Sequence, residues 1–125
     1  MAIKMASSNS QPEHFCPQQI VCLSAGDRRL YGSVVQYIEA QRNYWLRPLC
    51  LVAASTQGER AISLHRTADL IISAQQVREA FDTEILNFWS FLYDDSGDYQ
   101  ENIEGRRLLQ NFLRELTWPK ARSAP

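Results

Sequence analysis

Residues 29–55, RLYGSVVQYIEAQRNYWLRPLCLVAAS, decide which fold the chain can adopt. Along Leu30–Ala40 apolar and polar side chains alternate with a period of two, which is typical of a half-buried β-strand, and Gln36 is the one break on the apolar side. Some apolar residues are also four apart, as on a helix face. The β-branched residues disfavour a helix, however, and Gly32 in a helix interior would lower the stability of that helix by about 1 kcal/mol relative to alanine. We therefore expect a first β-strand here.

A second strand is expected over residues 44–54, joined to the first by the polar residues Glu39–Asn43. Because this connection lacks an Asn-Gly or Asp-Gly pair, we expect a loop of about three to five residues rather than a two-residue turn. Leu49–Ala54 is apolar on both faces, which indicates a central strand that is covered on both sides. Pro48 cannot donate to a strand ladder and therefore predicts a bulge or an edge position.

The composition is that of one small globular domain. The 125 residues carry a net charge of −1, so no overall field recruits nucleic acid or a membrane surface. Three cysteines without a CxxC pair favour a reducing, cytoplasmic compartment, and no apolar run is long enough to span a bilayer. We expect a disordered tail over residues 1–18, a single domain over residues 19–118 and a C-terminal tail over residues 119–125.

The rest of the chain predicts further strands and then helices. Short apolar stretches predict strands over residues 19–23 and 61–65, and residues 68–72 form either a last strand or the end of the preceding one after a kink. From Ser73 the apolar residues fall three and four apart, which is the spacing of a helix face. The helices are expected over residues 74–78, over residues 83–93, and from the capping box Asp98–Glu101 to about Thr117, with Ile103 facing inward. The expected fold class is α+β: an antiparallel meander of about five strands covered by two to three C-terminal helices.

Charge is segregated along the chain although the net charge is small. Residues 79–104 contain eight acidic residues and no lysine or arginine, whereas residues 28–78 contain seven arginines against three acidic residues. One interpretation is complementarity within the fold, between an arginine-bearing sheet and acidic helices whose N-termini favour negative charge. The other is a surface of one sign that meets a partner of the opposite sign. The sequence leaves both interpretations open.

The residues that could carry chemistry form no catalytic or metal-binding pattern. His65 and Cys50 could act as base and thiol, but Cys50 is flanked by leucines in a strand expected to be buried, and burial makes a thiol inert. Cys16 and Cys22 are spaced too widely for a zinc pair. The loop that begins at Asp94 lacks the glycine and the glutamate that a calcium loop needs at its sixth and twelfth positions. We expect no enzyme, no metal and no cofactor.

Aromatic residues and arginine point instead to a surface that binds another protein. These residue types dominate protein–protein contacts, and a groove between a sheet and helices suits an extended peptide of a partner. The predicted partner-binding residues are Tyr44, Trp45, Arg47, Phe91, Tyr93 and Trp118. Arginines and tyrosines on one sheet would also suit a small RNA-binding module, against which the net negative charge argues. Homo-oligomer formation is left open.

Four short segments resemble a known family. They are LYGSVVQ at residues 30–36, WLRPL at residues 45–49, ADLI at residues 68–71 and FDTE at residues 81–84. They resemble a family of small cyanobacterial proteins and, within it, the β-carboxysome shell assembly factors. The resemblance implies a compact α/β fold with a crevice, a non-enzymatic, chaperone-like role in carbon dioxide fixation, and a partner in the C-terminal extension of a hexameric shell protein. A sibling that assembles another photosynthesis-related complex is the alternative. No binding residue follows by position.

Overall fold

The computed structural model describes residues 14–92 and 102–117. The strands are β1 (Ile20–Ala25), β2 (Arg28–Ile38), β3 (Asn43–Ser55), β4 (Gly58–Ser63), β5 (Leu70–Ser73) and β6 (Arg78–Glu79). The helical elements are a 3-10 helix at Ala74–Gln76, α1 (Asp82–Ile85), a second 3-10 helix at Leu86–Phe91, and α2 (Ile103–Thr117). This α+β architecture, a six-stranded antiparallel sheet with C-terminal helices, confirms the fold class expected from the sequence.

The sheet is a meander whose long central strand serves two neighbours on one side. The strand order is β4-β3-β2-β1-β6. The second half of β3 pairs with β4, and its first half pairs with β5. The short strand β6 pairs with β1 only at Val21 and Cys22. The sequence did not predict β6, because two residues are too few to show a period of two.

A β-bulge near Pro48 confirms one of the two positions predicted for this residue. Tyr31 lies opposite Cys50, and the next residue, Gly32, lies opposite Pro48, so Leu49 is the extra residue. At Gly32 an added Cβ would come within 3.2 Å of the Arg47 backbone oxygen. Glycine therefore permits the close approach of the two strands at the bulge.

A second bulge explains why Gln36 breaks the alternation of its strand. Val34 lies opposite Leu46, whereas Gln36 lies opposite Trp45, so Val35 is the extra residue. An extra residue reverses which side chains face the core. Gln36 therefore faces solvent instead of sharing the buried face of Val34. The strands end and restart around the four-residue loop 39–42, as predicted.

Each face of the sheet is covered by a different helical element. On one face, here called the α2 face, the buried side chains of α2 are Leu109, Phe112 and Leu116. The other face is covered by residues 82–92, here called the cover segment, through Ile85, Phe88 and Leu92. Between the two, β3 is buried from Leu49 to Val52, which confirms the expected double cover there, and it becomes exposed at Ala54.

Two helix predictions were wrong. The helix expected over residues 83–93 is instead the four-residue α1 followed by a 3-10 helix, with a break at Phe88, where φ is −124°. Ile103, which was expected to face inward, is 70% exposed. It precedes Leu109, Phe112 and Leu116 by six, nine and thirteen residues. At about 3.6 residues per turn these separations place Ile103 on the opposite side of the helix.

The described part of the chain begins inside the predicted N-terminal tail. Residues 14–18 lie against the sheet, with the Gln18 N–H donating to the Val34 carbonyl at 2.6 Å. The Val34 N–H donates to the Gln19 carbonyl at 3.0 Å. Residues 1–13 and the predicted tail 119–125 lie outside the described residues. Among the helices that are described, none is long and apolar enough to cross a membrane.

Candidate partner-binding surfaces

Trp45 and Arg47, two of the predicted partner-binding residues, lie side by side and share one carboxylate. The Trp45 indole N–H donates to Asp69 Oδ2 at 2.9 Å. The Arg47 guanidinium donates to both Asp69 oxygens at 3.3 Å. Burial acts to raise the pKa of Asp69, but the hydrogen bonds from Arg47 and Trp45 outweigh it and lower the pKa. The indole and the guanidinium are therefore held in fixed positions at the surface.

These residues belong to a part of the sheet that presents side chains to solvent. Trp45 lies opposite Gln36 on β2 and opposite Ile71 on β5, and cross-strand partners share a face. Ile71 is 52% exposed and the Arg47 side chain 62%. We call this surface the open face. Its residues are Gln36, Trp45, Arg47, Asp69 and Ile71.

Tyr44, a third predicted residue, is not on the open face. It is 3% exposed and packs on the α2 face, where its hydroxyl accepts the Phe15 N–H at 2.8 Å. Burial raises the pKa of this hydroxyl. The signal was present in the sequence: Tyr44 has the same parity as Leu46, and alternate residues of a strand share a face.

Phe91, another predicted residue, does not extend the open face. Phe91 is half-buried at the end of the cover segment, and its carbonyl oxygen accepts a hydrogen bond from His65 Nε2 at 2.7 Å. Its ring packs against the cluster beneath that segment. Tyr93 and Trp118 lie outside the described residues. Of the four predicted residues that the structure describes, only Trp45 and Arg47 are brought together.

A groove at the outer edge of β1 was missed by the sequence analysis. Its volume is about 570 Å³. The lining residues include Ser24, Ala25, Gln75, Gln76, Val77 and Leu116. In the described part of the chain, no strand pairs with this edge beyond Cys22, where β6 ends. No local pattern could have revealed the groove, because it depends on how short β6 is and on where α2 ends.

Backbone groups of β1 face this groove. The Ile20 carbonyl accepts the Ala80 N–H at 3.3 Å, so Ile20 directs its backbone groups away from β2. In a strand, alternate residues direct these groups to the same side. Cys22 and Ser24 therefore share the direction of Ile20. Cys22 is paired with β6, whereas the N–H and C=O of Ser24 point into the groove.

The charged groups beside the groove are already neutralised within the chain. Glu115 pairs with Arg28, and Arg78 pairs with Glu84 at 3.0 Å. The remaining lining is uncharged: besides apolar groups it carries the Ser24 hydroxyl, the Cys22 thiol and the amides of the exposed Gln75 and Gln76. Such a groove suits an extended segment with small, uncharged side chains at alternate positions.

A polar network joins the sheet to the cover segment. The Tyr31 hydroxyl donates to Glu84 Oε1 at 2.7 Å and accepts from Arg29 Nε at 3.0 Å. Glu84 also accepts from Arg78 and from the Phe81 N–H. The hydrogen bonds from Arg78 lower the pKa of Glu84 to about 2, and burial raises that of Tyr31. Neither group is poised to exchange protons near neutral pH.

Cys22 and Cys50 are both fully buried. Burial raises the pKa of Cys50 to about 12 and also raises that of Cys22, so these two thiols are inert. Four ion pairs join arginines of the sheet to acidic residues, but of these four only Arg78–Glu84 links the arginine-rich residues 28–78 to the acidic residues 79–104, so both interpretations of the segregated charge stay open. The pairs are Arg28–Glu115, Arg29–Glu59, Arg47–Asp69 and Arg78–Glu84.

Comparison of the chain with protein-family models, with curated proteins and with solved structures gives no match. Within the described residues, no group of three or more His, Cys, Asp or Glu side chains is placed to hold a metal ion. Function is therefore inferred from the chemistry of the two surfaces, the open face and the groove at β1.

Proposed function

We propose that the protein is a non-enzymatic assembly factor or adaptor that holds an extended segment of another protein. The observation that carries this proposal is the outer edge of β1, where the backbone groups of Ser24 face a groove instead of a neighbouring strand. A peptide that adds to such an edge gains main-chain hydrogen bonds, and the side chains beside the edge select its sequence. The apolar Val77 and Leu116 and the amides of Gln75 and Gln76 would make that selection.

For the partner we propose the C-terminal extension of a hexameric carboxysome shell protein. The four sequence segments that resemble the β-carboxysome shell assembly factors support this choice. A C-terminal extension has a free end and can lie extended along a strand edge. The tail of another photosynthesis-related complex would use the same edge in the same way. Trp45 and Arg47 on the open face are the proposed second contact, with a neighbouring part of the partner.

The decisive variant is Ser24→Pro. Proline removes the N–H that would pair with the partner, and it leaves the β1–β2 ladder intact because this N–H points away from β2. Ser24→Ala keeps the N–H and is the matched control. Each protein is titrated with the purified hexameric shell protein, with and without its C-terminal extension. We expect the intact hexamer to bind, the truncated hexamer not to bind, and Ser24→Pro to weaken binding by about tenfold, the value of one hydrogen bond.

The outcomes separate the partner from the site. If neither hexamer binds, the proposed partner is wrong. If the intact hexamer binds Ser24→Pro as tightly as the wild-type protein, the site is wrong. The thermal midpoint of Ser24→Pro checks that the sheet has formed. Should Ser24→Pro not fold, the same titration is made with Gln75→Trp, whose indole would fill the groove from the exposed 3-10 helix.

A further inference from the structure

The segment before β1 crosses the sheet and covers a pair of tyrosines. We call His14–Gln18 the strap. The Phe15 ring packs on the Tyr44 ring with 5.7 Å between centroids, and the Phe15 N–H donates to the Tyr44 hydroxyl at 2.8 Å. The His14 ring stacks on Tyr37 at 4.4 Å, with 13° between the ring planes. Tyr37 and Tyr44 are themselves cross-strand partners, 4.9 Å apart.

Phe15 is the residue through which the strap enters the core. It is half-buried, whereas His14, Cys16, Pro17 and Gln18 are exposed. Phe15 packs against the buried cluster of the α2 face at its edge. The strap thus holds the sheet by one inserted aromatic ring, one stacked ring, the hydrogen bond from Phe15 N–H to the Tyr44 hydroxyl, and the hydrogen bond from Gln18 N–H to the Val34 carbonyl.

The backbone turns sharply where the strap leaves β1. Gln18 has a φ of +73°, in the left-handed region that residues other than glycine rarely adopt. The Gln18 N–H donates to the Val34 carbonyl of β2. Among the described residues, Gln18 is thus the first of the chain segment leading into β1 that is hydrogen-bonded to β2 through its backbone. Non-glycine residues in this region mark places where the surrounding contacts enforce the conformation. Release of the strap would therefore relax Gln18 at the cost of its hydrogen bond to Val34, and the pairing of β1 with β2 from Ile20 to Ala25 would stay intact.

We propose that Tyr37 and Tyr44 form a binding site for an aromatic residue of an extended partner segment, and that the strap is a removable plug in this site. The strap itself shows the chemistry that the site accepts: a ring against Tyr44 and a main-chain N–H on the Tyr44 hydroxyl. The proposal rests on the proposed function only in taking the ligand to be an extended segment. It adds a regulatory step, because a partner must displace Phe15 before it can bind.

A neighbouring groove gives the ligand a path beyond the tyrosines. It has a volume of about 760 Å³ and is lined by His14, Tyr37, Glu39, Ala40 and Arg42. Glu39 and Arg42 are both exposed and belong to the loop between β2 and β3. The residue that precedes the aromatic one in a ligand would lie where His14 lies, beside this groove.

The test uses the strap as a ligand supplied from outside. A peptide with the sequence of residues 11–19 and serine in place of cysteine, QPEHFSPQQ, is titrated to millimolar concentration into the full-length Phe15→Ala variant. Backbone amide NMR shifts report binding. We expect saturable shifts at Tyr37 and Tyr44, at least about tenfold weaker binding to the wild-type protein, whose own strap competes, and no shifts with QPEHASPQQ. Tyr44→Phe in the Phe15→Ala background removes the acceptor and is expected to weaken binding severalfold.

Three results would overturn the inference: no shifts at the tyrosines at millimolar peptide, equal binding by the wild-type protein and Phe15→Ala, or equal binding of the two peptides. Should Phe15→Ala not fold, hydrogen exchange in the wild-type protein decides. We expect the Phe15 amide to exchange by local opening, faster than the Cys22 amide. Exchange of Phe15 only through global unfolding would show that the strap is not removable. None of these measurements uses the shell protein, so they succeed or fail independently of the Ser24→Pro titration.

Discussion

The root and the tip of the β2–β3 hairpin are packed in different ways. At the root, Tyr31 lies opposite Cys50, and both side chains are fully buried beneath the cover segment. At the tip, Gln36 lies opposite Trp45 on the same side of the sheet, and this surface is open to solvent. Both pairs lie on the same two strands. Burial is therefore decided by the elements that cross the strands, and not by the strands themselves.

The polar contacts of the two regions differ in what they connect. At the root, the Tyr31 hydroxyl and Glu84 join the sheet to the cover segment across 53 residues of sequence. At the tip, Asp69 joins Trp45 and Arg47 between neighbouring strands, and all three side chains stay accessible. We infer that the root supplies stability and that the tip supplies a surface. The following variants test this division.

The largest loss of stability is expected from Phe112→Ala, on the α2 face beside Arg28 at the root end of the hairpin. Phe112 is fully buried, and the Arg28 guanidinium lies 5.6 Å from its ring centroid. Removing the ring deletes buried apolar surface and leaves a cavity, which costs about 3–5 kcal/mol of unfolding free energy. Urea denaturation at pH 7 measures it. Phe112→Leu, which keeps most of the volume, should lose much less, and equal losses for the two variants would contradict the packing argument.

Glu84→Gln is expected to have the next largest effect. The carboxylate accepts hydrogen bonds from Arg78, Tyr31 and the Phe81 N–H, and bonds to a charged group are worth more than neutral ones. We expect a loss of about 1–2 kcal/mol at pH 7. Glu79→Gln, which removes an exposed carboxylate from β6, is the matched control and should change stability by less than about 0.5 kcal/mol.

The same variant has a defined pH dependence. In the folded protein Arg78 lowers the pKa of Glu84 from 4.5 to about 2. The stabilisation is therefore fully present above pH 4.5 and is lost as the pH falls toward 2. We expect the difference in urea midpoint between the wild-type protein and Glu84→Gln to shrink over this range. A difference that stays constant down to pH 2 would show that the carboxylate is not the group responsible.

The parts of the fold that repeat locally could be predicted from the sequence, and those that depend on distant contacts could not. The period of two revealed both arms of the hairpin, and the 3.6-residue period revealed α2. Glu84 gave no local signal as a partner of Tyr31, because their contact joins residues far apart in sequence. The groove at β1 was hidden for the same reason: it lies between Ser24, Gln75 and Leu116, which no sequence pattern relates.

The candidate site was predicted in part. Residue chemistry drew attention to Trp45 and Arg47, and the structure places both on one surface. It also drew attention to Tyr44, whose parity along the strand assigns it to the other face. Aromatic character indicates that a side chain can bind a partner, but the alternation of the strand decides which surface it joins. The strap was hidden because a single inserted residue, Phe15, creates no period.

A smaller effect on stability is expected from Trp45→Ala, at the tip. Its indole hydrogen bond is to a surface carboxylate, and the Arg47–Asp69 pair remains. We expect a loss below about 1 kcal/mol, with the thermal midpoint nearly unchanged, and several times weaker capture of the proposed partner, the hexameric shell protein. Both quantities are measured on the same preparation. A large loss of stability without a separate effect on binding would remove Trp45 from the proposed contact.

The smallest effect is expected from Ile71→Ala, for which the chain supplies its own control in the next residue. Ile71 is 52% exposed on the open face, whereas Ile72 is 8% exposed and packs in the cluster of the α2 face. The two residues have the same side chain on the same strand, so they differ chiefly in the face they occupy. We expect Ile71→Ala to change the unfolding free energy by less than about 0.5 kcal/mol and Ile72→Ala to cost about 2–4 kcal/mol, both measured by urea denaturation. Comparable losses would mean that the open face is covered in solution, and the division between root and tip would then fail.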